Sequence, residues 1–366
     1  MEILDFMNNH SDWENIITQP PYSITVKRDE EYILLKYSQF NSDFNNPMVR
    51  ECRGAIFYKD YNGKYICVRR AFDKFGNYGE SYVPDIDWNN VSVEEKVDGS
   101  LISFWYHNNS WHISTNGTID AFKAQINDKD INFGQLVYEA FGGKENFNKF
   151  CSYLYKDCTY TFELVSPKSK MTIFYPKTKL YYLGQRDIIT MKESKEYMSF
   201  MKDFGVLCPK IYPLNTIEDC LLYVKRMTKD QEGFVIRDKN FNRIKLKSPE
   251  YLFAFHCNNN GIITTKRIID MIKEEKIDDF LAYCPQYIEQ VEDVKNRIQK
   301  LVGRLDFAWK AVSVAKYLNK KEFSIFINKF SDKDFLFRKY NNHDLNTVDY
   351  VMSKPTNQIK EMIEGV

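Results

Sequence analysis

Glu95-Lys96-Val97-Asp98-Gly99-Ser100-Leu101 closes one β-rich run and opens another. A lysine at a strand end, followed by x-Asp-Gly, suits a nucleophilic amine held beside a tight turn. Gly99 would let the backbone come close to a ligand. Alone, the pattern fits a surface lysine before a hairpin equally well. Working outward, Arg53 sits in Glu51-Cys52-Arg53-Gly54 just before a strand, and Glu163 lies mid-strand in Tyr160-Thr161-Phe162-Glu163-Leu164-Val165. Glu232-Gly233-Phe234-Val235-Ile236 opens a strand with a carboxylate, and Arg243-Ile244-Lys245-Leu246-Lys247-Ser248 follows at hairpin distance. Lysines two apart on a strand share a face, with Ile244 and Leu246 on the other. Two ammonium groups beside a carboxylate strand suit a phosphate.

The wider texture has two regimes. From about residue 20 to 250, short β-rich runs such as Tyr32–Tyr37, Gly54–Tyr58 and Leu101–Tyr106 are separated by turn signals such as Asn62-Gly63 and Asn116-Gly117. Helical segments are expected at 119–128, 132–153 and 216–227. The spacing predicts an α+β domain on antiparallel sheets. After Asn258-Asn259-Asn260-Gly261, apolar residues recur at helical spacing (Ile268, Ile269, Ile272; Ile288, Val291, Val294, Ile298, Leu301). An all-α domain is expected over 258–366, with the boundary near 257.

At 366 residues, 43% apolar and 28% charged, the composition is that of a folded globular chain and excludes a disordered one. No apolar run reaches a membrane span, and Met1-Glu2-Ile3-Leu4-Asp5 does not open a signal peptide. Eight cysteines (Cys52, Cys67, Cys151, Cys158, Cys208, Cys220, Cys257, Cys284) lack a CxxC pair and read as reduced; five dispersed histidines make a Cys/His zinc site improbable. A formal charge of +1 leaves a nucleic-acid partner open, since a local basic groove suffices.

The order Lys-x-Asp-Gly, Phe-Glu, Glu-Gly-Phe-Val and Lys-Leu-Lys resembles the covalent nucleotidyltransferase superfamily of ATP-dependent ligases and mRNA capping enzymes. With Phe72-Asp73-Lys74-Phe75 and Phe162-Glu163-Leu164-Val165-Ser166-Pro167 added, it is similar to the phage RNA ligase 1 family of the tRNA-repair type, over roughly residues 30–280. The resemblance implies an ATP-grasp-like ligase domain over 1–257 that acts as an adenylyltransferase, and a helical domain over 258–366 for RNA specificity. It also implies ATP with Mg²⁺ or Mn²⁺, and joining of a 5′-phosphate to a 3′-hydroxyl in RNA. Lys96 would be the nucleophile. Tyr37, Arg53, Lys74, Glu163, Lys245 and Lys247 would hold the nucleotide, and Glu232 and Asp278 the metal. For Asp278 a helix N-cap is the competing reading, and for Tyr37 a packing residue.

The implied partners are RNA, as single-stranded ends or a broken tRNA loop, and an end-healing kinase/phosphatase acting upstream. No membrane is implied, and the expected location is the cytoplasm, of a host cell if the protein is viral. A composition rich in Lys, Asn, Ile, Tyr and Phe suits an AT-rich genome, compatible with a phage. Two departures bear on affinity: Ser114 and Asn116 stand where the family pattern can carry lysines, and Gly76 follows Phe75 in place of a second aromatic. Two alternatives stay open, a DNA ligase or capping-type guanylyltransferase, and a degenerate, non-catalytic RNA-binding ligase fold. The first would continue into a β-rich OB-fold. Here residues 304–339 instead carry nine Lys/Arg against four acids, interleaved with Phe307, Trp309, Tyr317, Phe323, Phe326 and Phe330. They read as helix core with a solvated basic face, or as an RNA surface.

Overall fold

The computed structural model describes residues 1–364 except 40, 127–130, 170–171, 257–262 and 284. The chain divides into two compact units, Met1–Cys257 and Asn258–Val366. In the first unit the strands run in chain order as β1 (Ile24–Asp29), β2 (Tyr32–Tyr37), β3 (Arg53–Lys59), β4 (Tyr65–Arg69), β5 (Val91–Glu95), β6 (Ser100–His107), β7 (Ser110–Thr115), β8 (Cys158–Val165), β9 (Lys179–Asp187), β10 (Glu193–Ser194), β11 (Ile211–Tyr212), β12 (Gly233–Asp238) and β13 (Arg243–Lys247). Among them lie the helices α1 (Glu2–Asn9), α2 (Trp13–Ile17), α3 (Pro47–Glu51), α4 (Phe133–Phe141), α5 (Lys144–Cys151), α6 (Ile217–Val224) and α7 (Pro249–His256).

These strands make three sheets, ordered β1-β2-β3-β4, β10-β9-β8-β6-β7 and β11-β5-β12-β13. Every pairing between the named strands is antiparallel, as the alternating runs predict. Along β9 buried residues alternate with half-buried ones, the period of a sheet with one face in the core. One core cluster packs Phe104, Tyr160, Phe162 and Tyr182 of the second sheet against Phe141, Phe147 and Phe150 of α4 and α5. Burying each such ring contributes roughly 1.5–3 kcal/mol.

The first two sheets meet around aromatic rings and one buried cation. Tyr32 meets Trp105 edge-on at 5.2 Å. Arg69, fully buried at the end of β4, donates to the carbonyls of Gly54 and Arg53, to Ser103 Oγ at 2.7 Å and to Asn116 Oδ1 at 3.1 Å. Burial, with the Arg53 charge adding, pushes its guanidinium down to about 9.

The helix expectations need correction in two places. Over 119–128 the described residues hold only a 3-10 turn at Ala121–Lys123, capped by the Asp120 side chain; residues 127–128 lie outside the described set. Asp120 bonds locally to the Phe122 amide and so satisfies the backbone within a single turn. The segment 132–153 is two helices, because Gly142 and Gly143 stand at φ 74° and 131° between them. A left-handed glycine ends a helix by turning its last amides back onto free carbonyls. Here the Gly143 amide reaches the Tyr138 carbonyl at 2.8 Å.

In the second unit the elements are α8 (Thr265–Lys273), α9 (Ile277–Tyr283), α10 (Ile288–Val312), α11 (Lys320–Ile327), α12 (Lys333–Asn341), α13 (Thr347–Met352) and α14 (Thr356–Glu364). Among its described residues there is no strand, so it is not an OB-fold. Ile268, Ile269, Ile272, Val291, Val294, Ile298 and Leu301 are all buried, as their spacing predicts, whereas Ile288 is exposed. The Asn258–Gly261 cluster lies outside the described residues, as do Cys257 and Cys284. Cys52, Cys67, Cys151, Cys158 and Cys220 are free and buried, and Cys208 is free and exposed. No helix among the described residues is long and apolar enough to cross a membrane.

Candidate active site

Three strands of the third sheet end at one place. Lys96 directly follows β5, Glu232 directly precedes β12, and Lys247 is the last residue of β13. Antiparallel neighbours bring these ends together: Gly233 pairs with Lys247, and the Lys96 amide donates to the Gly233 carbonyl at 2.9 Å. Lys96 Nζ lies 2.8 Å from Glu232 Oε2, and Lys247 Nζ lies 2.8 Å from Glu232 Oε1. Glu232 is 2% exposed and Lys247 3%, whereas the Lys96 side chain is 21% exposed. One carboxylate therefore holds two ammonium groups, and Lys96 is the more accessible of the two. Burial alone would raise the Glu232 carboxyl, but Lys247 and Lys96 outweigh it and leave it below the usual carboxylate range.

Glu163 completes the cluster from the second sheet. It stands on β8 opposite Leu101, just past the nucleophile turn. Burial pushes its carboxyl up to about 7; Lys96 opposes this, Glu232 adds to it, Arg53 opposes it and Asp98 adds to it. Two carboxyls sharing one lysine are thus driven apart, one ionised and one titrating near neutrality, a pattern typical of chemical sites. Gly99 serves this packing. A Cβ there would lie 2.6 Å from the Leu164 carbonyl oxygen and 2.8 Å from Glu163 Cγ. Its close approach within the fold is to β8.

Asp98 is the residue of the turn that sequence reasoning left without a role. It is 2% exposed, and its Oδ2 accepts from the amides of Thr172 at 2.9 Å and Ile173 at 3.2 Å. The Asp98 amide in turn donates to the Tyr175 hydroxyl at 3.2 Å. Tyr251, on the first turn of α7 and 1% exposed, lies against Asp98, with the Lys247 ammonium 5.7 Å from its ring centre. It is a second site neighbour the motifs did not mark; its only sequence signal is an aromatic four residues after Lys247.

Ile244 and Leu246 face the core, leaving Lys245 and Lys247 on the opposite face, as expected. The Lys245 amide donates to the Gly76 carbonyl and its carbonyl accepts from the Tyr78 amide, both at 2.9 Å, which stitches the Phe72–Asn77 segment to β13. Phe75 is thereby held between Arg53 at 5.4 Å and Lys245 at 5.8 Å. Gly76 has no room for a side chain, since a Cβ would meet Glu80 Oε2 at 2.3 Å. Arg53 Nε and Nη1 are buried without a hydrogen-bond partner among the described residues. Buried donors of this kind cost stability unless a ligand satisfies them, and the open donors of Arg53 suit an anion.

Tyr37 and Lys74 form a pair of their own, the Lys74 ammonium lying 5.6 Å from the Tyr37 ring and 4.7 Å from the Phe44 ring. Ser114 is fully buried, its hydroxyl without a hydrogen-bond partner among the described residues, and Asn116 is engaged by Arg69. Asp278 is the second residue of α9 in the second unit, two positions past Lys276, so it does not occupy the helix N-cap.

No group of three or more His, Cys, Asp or Glu side chains that could cage a metal exists among the described residues. The two carboxylates beside Lys96 fit a hard divalent cation of the magnesium type, which takes one or two carboxylates and completes its shell with substrate phosphates and water.

Residues 51–251 match a family model described as RNA ligase, of the phage T4 RNA ligase 1 type. A protein of Autographa californica nuclear polyhedrosis virus, named as a bifunctional polynucleotide kinase/RNA ligase, is 30% identical over 282 residues. That match covers 72% of this chain and 39% of the viral protein, so the chain spans well under half of that relative. An RNA ligase of Rhodothermus phage RM378 is 24% identical over 386 aligned positions, covering 86% of each chain. Among solved structures, an archaeal ATP-dependent RNA ligase is similar at 13% identity and a TM-score of 0.44, covering 81% of this chain and 82% of that one. With the family model spanning more than half of its length, the chain belongs to the RNA ligase family.

Proposed function

We propose that the protein is an ATP-dependent RNA ligase that works through a covalent lysyl-AMP, with Lys96 as nucleophile. The observation that carries this is the Lys96–Glu232–Lys247 cluster, a partly exposed amine and a buried cation on one carboxylate at three converging strand ends. In the first step Lys96 Nζ, having lost a proton, attacks the α-phosphorus of ATP. An N–P bond forms, the α–β P–O bond breaks, and pyrophosphate leaves. An oxygen of the RNA 5′-phosphate then attacks the same phosphorus and displaces the lysine, giving an RNA-adenylate. Finally a 3′-hydroxyl attacks the RNA 5′-phosphorus and releases AMP.

Lys247, Lys245 and Arg53 offset negative charge at the phosphates as it develops, the electrostatic term that dominates phosphoryl chemistry. Glu163 binds the nucleotide or orients Lys96. Tyr37 and Lys74 reach the ribose or the outer phosphates. A divalent cation, when bound at Glu232, would supply charge neutralisation at the phosphates.

The second unit serves RNA specificity in this reading. Of its aromatics Phe323 is fully buried, whereas Phe307 and Tyr317 are 74% and 86% exposed among lysines. Broken RNA needs a 5′-phosphate and a 3′-hydroxyl before sealing, so an end-healing kinase/phosphatase acts upstream. The kinase in the baculovirus relative's name favours that order.

Intact mass after incubation with ATP and Mg²⁺ tests the covalent step. Wild type is expected to gain the mass of one AMP and Lys96→Ala none. No adduct with ATP, in protein free of prior adenylylation, would sink the reading. Sealing of 5′-phosphorylated RNA but not DNA then fixes the acceptor.

A further inference from the structure

We propose that Phe174 is the stacking platform for a base at the RNA end, and that residues 172–179 form the strand-docking loop of the site. The inference rests on the RNA-joining reading above and assigns a residue that reading does not use.

Phe174 is 77% exposed, among the most exposed large apolar side chains of the first unit. Scattered surface apolar residues are ordinary, so exposure alone carries nothing. Here, however, its neighbours on both sides are tied to the nucleophile turn. Asp98, two residues from Lys96, accepts from the amides of Thr172 and Ile173, and its own amide donates to the Tyr175 hydroxyl. Further along, Thr178 hydrogen-bonds Ser166 at 2.9 Å and donates to Glu139 at 2.8 Å. The loop is therefore fixed at both ends by buried or half-buried polar contacts, and one ring is displayed from it.

Its charge fits the same ligand. Thr172-Ile173-Phe174-Tyr175-Pro176-Lys177-Thr178-Lys179 contains two lysines and no carboxylate. A fixed aromatic face beside cations is how proteins hold single-stranded nucleic acid, the ring stacking on any base and the lysines following the phosphates. Ordering such a loop in advance avoids the entropy of ordering it on binding. Tethering through Asp98 anchors the platform to the turn that begins at Lys96, near which the RNA 5′-end must arrive for the second step.

The experiment compares wild type, Phe174→Ala and Phe174→Trp in three readouts. These are lysyl-AMP formation with ATP alone, binding of a fluorescein-labelled 5′-phosphorylated oligoribonucleotide by anisotropy, and single-turnover AMP transfer to that RNA. Phe174→Ala is expected to weaken RNA binding between about 5-fold and about 100-fold, with lysyl-AMP formation within about twofold of wild type. Phe174→Trp is expected to restore binding. Unchanged RNA affinity in Phe174→Ala overturns the proposal, as does a joint loss of lysyl-AMP formation and thermal stability, which marks a packing residue. Failure of wild type to form lysyl-AMP overturns the ligase reading instead. The anisotropy result still decides Phe174, because it needs no chemistry.

Discussion

At the scale of single residues, the site is a matter of which carboxylate keeps its charge. Glu163 is held at about 7, against 4.5 for an unburied glutamate. The folded protein therefore holds that proton more tightly than the unfolded chain. Stability is fully present below about 4.5, falls as pH rises towards 7, and the penalty is complete above that, on the order of 2–3 kcal/mol. Glu163→Gln removes the penalty. The melting temperature of the ligand-free variant minus that of wild type is expected to grow from pH 4.5 to pH 8; a difference independent of pH would show that Glu163 is not held up by burial. Glu232 behaves oppositely, because it is ionised and neutralises Lys247. Glu232→Gln leaves a buried ammonium uncompensated, at a cost of about 3 kcal/mol, and Lys247→Met on that background should return part of it. A double-mutant cycle by urea unfolding measures this, and additive losses would show no coupling.

At the scale of elements, the antiparallel strands were legible because buried and half-buried positions alternate, as in β9, and because β12 and β13 announce themselves by Glu232 and the two lysines. The sheet partners were not. Nothing local tells that β5 lies between β11 and β12, since that order depends on contacts far apart in the chain. The helix at 119–128 failed because Asp120 closes its backbone bonds within one turn, a side-chain effect that periodicity does not see. Gly99 shows the same limit. Its motif marks it, but the reason is the β8 backbone 2.6 Å from where a Cβ would stand, a contact with a strand some 65 residues away. Gly99→Ala should push the nucleophile turn off β8, lowering both the melting temperature and the rate of lysyl-AMP formation. A variant with wild-type values in both would show that the turn has slack.

At the scale of the whole molecule, Lys96, Glu232, Glu163, Lys245, Lys247 and Arg53 were nominated from sequence and stand in one neighbourhood through ion pairs, ring contacts or mutual electrostatics. Asp98 and Tyr251 were not nominated, because their parts depend on loop 172–175 and α7 folding back onto the turn. The helical second unit was legible from apolar spacing, while its division into short helices follows caps such as Asn319 and Asn346.

Arg69 has a consequence for how the first unit meets its substrate. Its guanidinium is wholly buried on oxygens that carry no formal charge, and Arg53 beside it has open donors. Two cations in low dielectric repel each other, and the Arg53 charge indeed lowers the Arg69 guanidinium; in the proposed reading a bound polyphosphate offsets that repulsion. In the proposed reading the triphosphate is a counter-ion for the sheet junction, and nucleotide binding adds to the stability of the fold. Addition of ATP without metal to Lys96→Ala protein, which cannot react, is expected to raise the melting temperature more than AMP does at equal saturation. Equal shifts would show that the junction does not feel the phosphates.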